Sequence, residues 1–191
     1  MKKVFFICII LLINACGSNK NITVNQIQSK RPIIIHFDKE EDRVVIVSFP
    51  ITFGILNHTN NNITLDNMVK YQYADIENYP QYWNTTIFPY LIEDEKLLTT
   101  INPISRSVIS SKNKREYVIY TRHFIHSQNL FSAYLEKMRQ ENKDTLHIES
   151  IQQLKQINPN FVNDFLQGDS IRFLFYYDKK FHTIVLPVEV K

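Results

Sequence analysis

The sequence predicts a mainly β domain, a sandwich with a helical insert ahead of a C-terminal hairpin. Two observations lead there. Runs of β-branched and aromatic residues recur along most of the chain, separated by turns rich in Asn, Pro, Asp and Lys. The 3.6-residue apolar period of amphipathic helices appears only within residues 127–167 or so. The expected architecture is a single domain over 31–191 with about seven to nine strands.

Taken in order, Ile33 to Phe37 is a β-branched run after Pro32 and opens the folded part. The charged turn Asp38 to Arg43 leads into Val44-Val45-Ile46-Val47-Ser48-Phe49, apolar on both faces and so a central strand. Pro50 interrupts it. Ile51, Phe53 and Ile55 then alternate with Thr52, Gly54 and Leu56, and the Asn57-to-Asn62 turn returns the chain as a hairpin through Ile63-Thr64-Leu65. This Phe-x-Ile-x-x-Asn-x-Thr-Asn arrangement resembles the strand-turn-strand of immunoglobulin-like envelope domains, which implies an immunoglobulin-like or related β-sandwich. Met68 to Ile76 is another strand, with Val69, Tyr71 and Tyr73 on one side. From Tyr79 to Leu91 the prolines argue against regular structure. Ser105 to Ser110 and Glu116 to Ile125 read as a hairpin around the basic turn Ser111 to Arg115.

Ser127 can cap a helix reaching about Asn142, with Leu130, Phe131, Tyr134, Leu135 and Met138 as its apolar stripe. Ser150 with Gln153 forms a capping box for a second helix whose buried face is Ile151, Leu154 and Ile157. Asn158-Pro159 starts a third, carrying Phe161, Val162, Phe165 and Leu166, and Gly168 stops it. Two long strands, Ser170 to Tyr177 and Phe181 to Val190, then flank a charged turn at Asp178-Lys179-Lys180. Pro187 confines the last strand to a sheet edge.

The N-terminal residues carry an address. Lys2-Lys3 precede an apolar run from Val4 to Ile13, roughly half the length that crosses a bilayer, and Ile13-Asn14-Ala15-Cys16 follows. The ending resembles the lipobox of bacterial lipoproteins. That resemblance implies removal of residues 1–15, a diacylglyceryl group on the Cys16 sulfur, and a polar tether over 16–30. Gly17 stands where that family places Asp to retain a protein in the inner membrane, so the outer membrane is favoured in a cell that has one. In a cell without one, the anchor is on the outer face of the plasma membrane. Cys8 leaves with the leader, so no disulfide, thiolate metal site or Cys nucleophile is expected in the mature domain. Without Lys2 and Lys3 the 22 basic residues fall to 20 against 19 acidic, a balance that gives no field to attract nucleic acid.

No catalytic constellation emerges. Of three glycines only Gly54 and Gly168 lie beyond the tether, which excludes a phosphate-binding loop and a nucleophile elbow. Glu40-Glu41-Asp42 and Glu93-Asp94-Glu95-Lys96 read as solvated turns. His123 and His126, three apart on a strand, fall on opposite faces and make no metal site, and no cofactor is expected. The one unusual concentration is Tyr79, Tyr82, Trp83 and Tyr90, either loop aromatics packed over one end of the sandwich or a partner or ligand surface. The expectation is a non-catalytic envelope lipoprotein held to the membrane through Cys16. It would bind an envelope protein partner as an assembly accessory or a protective, immunity-type protein. The alternative is a glycan-binding module centred on residues 79–90.

Overall fold

Three antiparallel sheets enclose one hydrophobic core, and the computed structural model describes them through residues 21–75, 84–94, 96–98, 106–126 and 129–190. The first sheet has the order β1 (Ile22–Ile27), β4 (Pro50–Asn57), β11 (Lys114–Tyr120), β8 (Tyr90–Glu93), β9 (Lys96–Leu98). The second runs β10 (Ser107–Ile109), β5 (Ile63–Leu65), β14 (Ser170–Tyr177), β6 (Val69–Gln72), β7 (Asn84–Ile87). On its other side β14 pairs with β15 (Lys180–Pro187). The third has the order β12 (His123–Phe124), β3 (Arg43–Ser48), β2 (Pro32–Asp38), β13 (Thr145–Ser150). The fold is thus mainly β and sandwich-like, with helices ahead of the last hairpin.

Strand alternation explains the core. Ile51, Phe53 and Ile55 of β4 point inward together, as do Ile171, Phe173 and Phe175 of β14, and all six are buried. Phe53 meets Phe173 edge-on, centroids 5.0 Å apart, which joins the first two sheets. Truncating either ring to Ala costs about 3–5 kcal/mol. At Phe49, between β3 and β4, the chain steps from the third sheet into the first. The adjacent strand turns the same corner at Thr121, whose N–H donates to the Phe49 carbonyl at 3.0 Å and whose Oγ1 accepts from the Phe49 N–H at 3.2 Å.

The helical segment contains α1 (Ser132–Gln140), α2 (Ile151–Ile157) and α3 (Pro159–Leu166). The capping box on α2 forms as read, with Ser150 Oγ accepting from the Gln153 N–H. Asn158 caps α3 through Oδ1 and the Phe161 N–H at 3.3 Å, and Gly168 takes the left-handed φ of +86° just past its end. Phe161 and Phe165 pack on Phe49, which seats α3 against the corner.

Several expectations are corrected. The polar stretch read as a tether holds β1, whose Ile22 and Val24 enter the core, so the fold begins before residue 31. The insert is interrupted by a strand, β13, which extends the third sheet beside β2. Residues 129–131 form a 3-10 turn ahead of α1, and Leu130 is exposed, as is Ile157 at the very end of α2. Ser127 lies outside the described residues. The segments read as hairpins around 57–62 and 111–115 are arches: β4 and β11 belong to the first sheet, β5 and β10 to the second. Fully buried Asn57 ties both arches, its amide donating to Asn61, Ile109 and Ser110 carbonyls. Asn84–Ile87 and Tyr90–Glu93 are strands after all, because Phe88-Pro89 falls between two sheets rather than within one. Such breaks raise the strand count among the described residues to fifteen.

Candidate functional site

The residues singled out by sequence divide sharply. Cys16, Tyr79, Tyr82 and Trp83 lie outside the described residues. Tyr90 is described: it sits on β8, half-buried, its ring edge-on to Tyr120 with centroids 6.3 Å apart. Direct pairing runs Ile27–Thr52–Val118–Tyr90 across four strands, so these share the outer face of the first sheet. Gly54 sits in the next row of that face, and the Lys114 stem crosses it at 2.8 Å from where a Cβ would stand. A cavity of about 400 Å³ opens there, lined by Ile27, Lys30, Arg31, Thr52, Ile92 and Glu116 among others. Burial pushes the Tyr120 hydroxyl up, and the Arg31 charge beside it pulls it partly back.

A second surface was not singled out by its sequence. On the outer face of the second sheet, Tyr176 and Phe181 form a direct cross-strand pair with rings 5.1 Å apart. Phe181 is 59% exposed, Val185 51% and Tyr176 37%. Large apolar side chains left together on a well-paired hairpin are the kind of feature that a docking surface displays. The pattern was there to read: Phe181, Thr183, Val185 and Pro187 alternate with His182, Ile184 and Leu186.

The third feature is interior. His123, on β12, is 1% exposed, ringed by Phe49, Tyr71, Tyr73 and Phe165, with Nε2 3.9 Å from Asp169 Oδ2. Asp169 Oδ2 accepts from the Tyr71 hydroxyl at 2.5 Å and Oδ1 from the Ala74 N–H at 2.7 Å. Its backbone carbonyl accepts from the Val188 N–H at 2.8 Å. Burial holds His123 neutral, lowering it to about 3, and pushes the Asp169 carboxyl up to about 6 against the pull of Tyr71 and Ala74. Buried on all sides, this pair acts as a latch joining β6, β12, the end of α3 and the segment after β15. It was illegible in sequence because the partners are far apart and share no motif. His126, by contrast, is exposed.

No protein-family model matches the chain, and no curated protein matches it. Fold and surface together define a sandwich-like β domain with two outward sheet faces, one grooved and one apolar.

Proposed function

We propose that this protein is an exported, lipid-anchored envelope lipoprotein without catalytic activity that binds a protein partner, as an assembly accessory or a protective, immunity-type protein. The observation that carries the reading is the exposed apolar group Tyr176, Phe181 and Val185, held rigidly on paired strands where aromatic anchors contribute most to protein binding. The address comes from Val4 to Cys16. Because β1 begins at Ile22, only residues 17–21 separate Cys16 from the domain, a reach of about 20 Å at full extension. The domain would therefore work close to its bilayer, and two or more acyl chains would keep it there. The test is affinity purification from the native cell with and without Phe181→Asp. A discrete partner recovered with the wild type and lost with the variant supports the reading, and a protein recovered alone in both cases refutes it.

The groove favours a second reading, a glycan-binding module. Tyr90 and Tyr120 lie on the same sheet face as a cavity of ligand size, with Lys30 and Arg31 at its rim. Titrating envelope polysaccharide by calorimetry decides it: saturable heat abolished by Tyr90→Ala supports the glycan, and no heat of binding removes it.

A further inference from the structure

We infer that β15 is a dimer edge, at which the chain pairs antiparallel with a second copy of itself about a two-fold axis through Thr183. All eight residues of β15 pair with β14 on one side, and among the described residues no strand pairs with the other. The hairpin loop determines what that open edge presents. Tyr177 and Lys180 face each other across a two-residue loop and form the hydrogen-bonded pair that closes it. Bonded and non-bonded pairs alternate along an antiparallel ladder, so His182, Ile184 and Leu186 also bond to β14. The N–H and C=O groups of Phe181, Thr183 and Val185 therefore point away from it. Pro187, next in that series, has no N–H to offer.

Symmetry then selects the register. A two-fold pairing is self-complementary, and hydrogen-bonded pairs can join only members of the outward series. With the axis at Thr183, Phe181 faces the partner's Val185, Thr183 faces the partner's Thr183, and Val185 faces the partner's Phe181. Moving the axis to Ile184 sets Phe181 against the partner's Pro187 and loses a donor. Moving it to His182 brings Val185 against the partner's Lys179, in the turn. The side chains agree with the same register, since an aromatic against a β-branched residue is a favourable cross-strand pair. No Lys, Arg, Asp or Glu lies between Lys180 and Pro187, and the axis sets Lys180 against the partner's Leu186, so it pairs no like charges of these types. Natural edges are usually blunted by Lys or Pro within the strand, and here both stand at its ends.

An edge contact this short lies at the low end of interface sizes, so the dimer is concentration-dependent. Tethering both copies to one bilayer, which rests on the lipoprotein reading, raises their local concentration.

The test uses the full-length chain in detergent. Sedimentation should show a concentration-dependent monomer–dimer equilibrium. Thr183→Pro removes both bonds of the central pair and should weaken association about tenfold or more. It spares the fold, because that N–H does not face β14, and unchanged circular dichroism checks this. Under mild oxidation Thr183→Cys should link across copies while Phe181→Cys alone should not, and an equimolar mixture of Phe181→Cys and Val185→Cys should link. Every variant carries Cys8→Ser and Cys16→Ser so that only the introduced thiols can link, and that parent chain is the blank. A monomer at every concentration with Thr183→Cys unlinked overturns the dimer, and linking through Phe181→Cys alone overturns its register. If the purification above still recovers a partner in that event, the docking reading survives while self-pairing falls.

Discussion

Lys179 illustrates how much one backbone angle matters. The turn at Asp178-Lys179 has φ of 49° and 59°, the left-handed values that a two-residue hairpin demands, and neither residue is glycine. Read from sequence, the turn spans Asp178 to Lys180, but Lys180 is already paired with Tyr177. Lys179→Gly removes the Cβ penalty and should stabilise the protein by about 1 kcal/mol in urea denaturation. The latch predicts a pH signature. Asp169, raised from 3.8 to about 6, contributes stability that is present below pH 3.8 and lost as pH rises through 6. His123, lowered from 6.5 to about 3, contributes stability that is present above pH 6.5 and lost as pH falls through 3. Between about pH 4 and 6 the two cancel in the wild type, since unfolding takes up one proton on His123 and releases one from Asp169. Asp169→Asn leaves the histidine alone and should lose stability on acidification below 6.5. His123→Gln leaves the carboxyl alone and should lose stability as pH rises from 4 to 6. Each slope approaches about 1.4 kcal/mol per pH unit. Parallel slopes in the two variants would disprove the latch.

At the level of elements, the arches hold the two main sheets in register. Asn57→Ala strands the carbonyl of buried Ile109 and unties the two arch carbonyls of Asn61 and Ser110, and should cost about 1–3 kcal/mol, measured by chemical denaturation. Ser150→Ala removes the α2 cap at about 1 kcal/mol. The caps of α2 and α3, Gly168, the alternation of β4 and the edge position of β15 were legible because each depends on neighbours in sequence. Pairing partners were not. A run of asparagines between two strands turns the chain equally well within a sheet or across the core, and only Asn57's distant acceptors decide which. Strand β1 escaped notice because Thr23, Asn25 and Gln26 dilute its apolar Ile22 and Val24, and its burial depends on β4. Of the surfaces, Tyr90 was legible as an aromatic beside prolines. Its placement on the grooved face required β11 and Tyr120.

For the whole molecule, the proposed lipid anchor would hold the β domain close to its membrane and offer the outer face of its last hairpin to a protein partner. Cys16→Ser should move the protein from the membrane to the soluble fraction without changing its melting temperature, as seen by fractionation and thermal unfolding of both forms. The most direct test of the docking face is photo-crosslinking in the native cell, with a photoreactive residue at position 181 and, as a control, at exposed position 60 in the β4–β5 arch. A discrete adduct from position 181 and none from position 60 is the predicted result. A protein that migrates alone from both positions, or reacts equally from each, would contradict it.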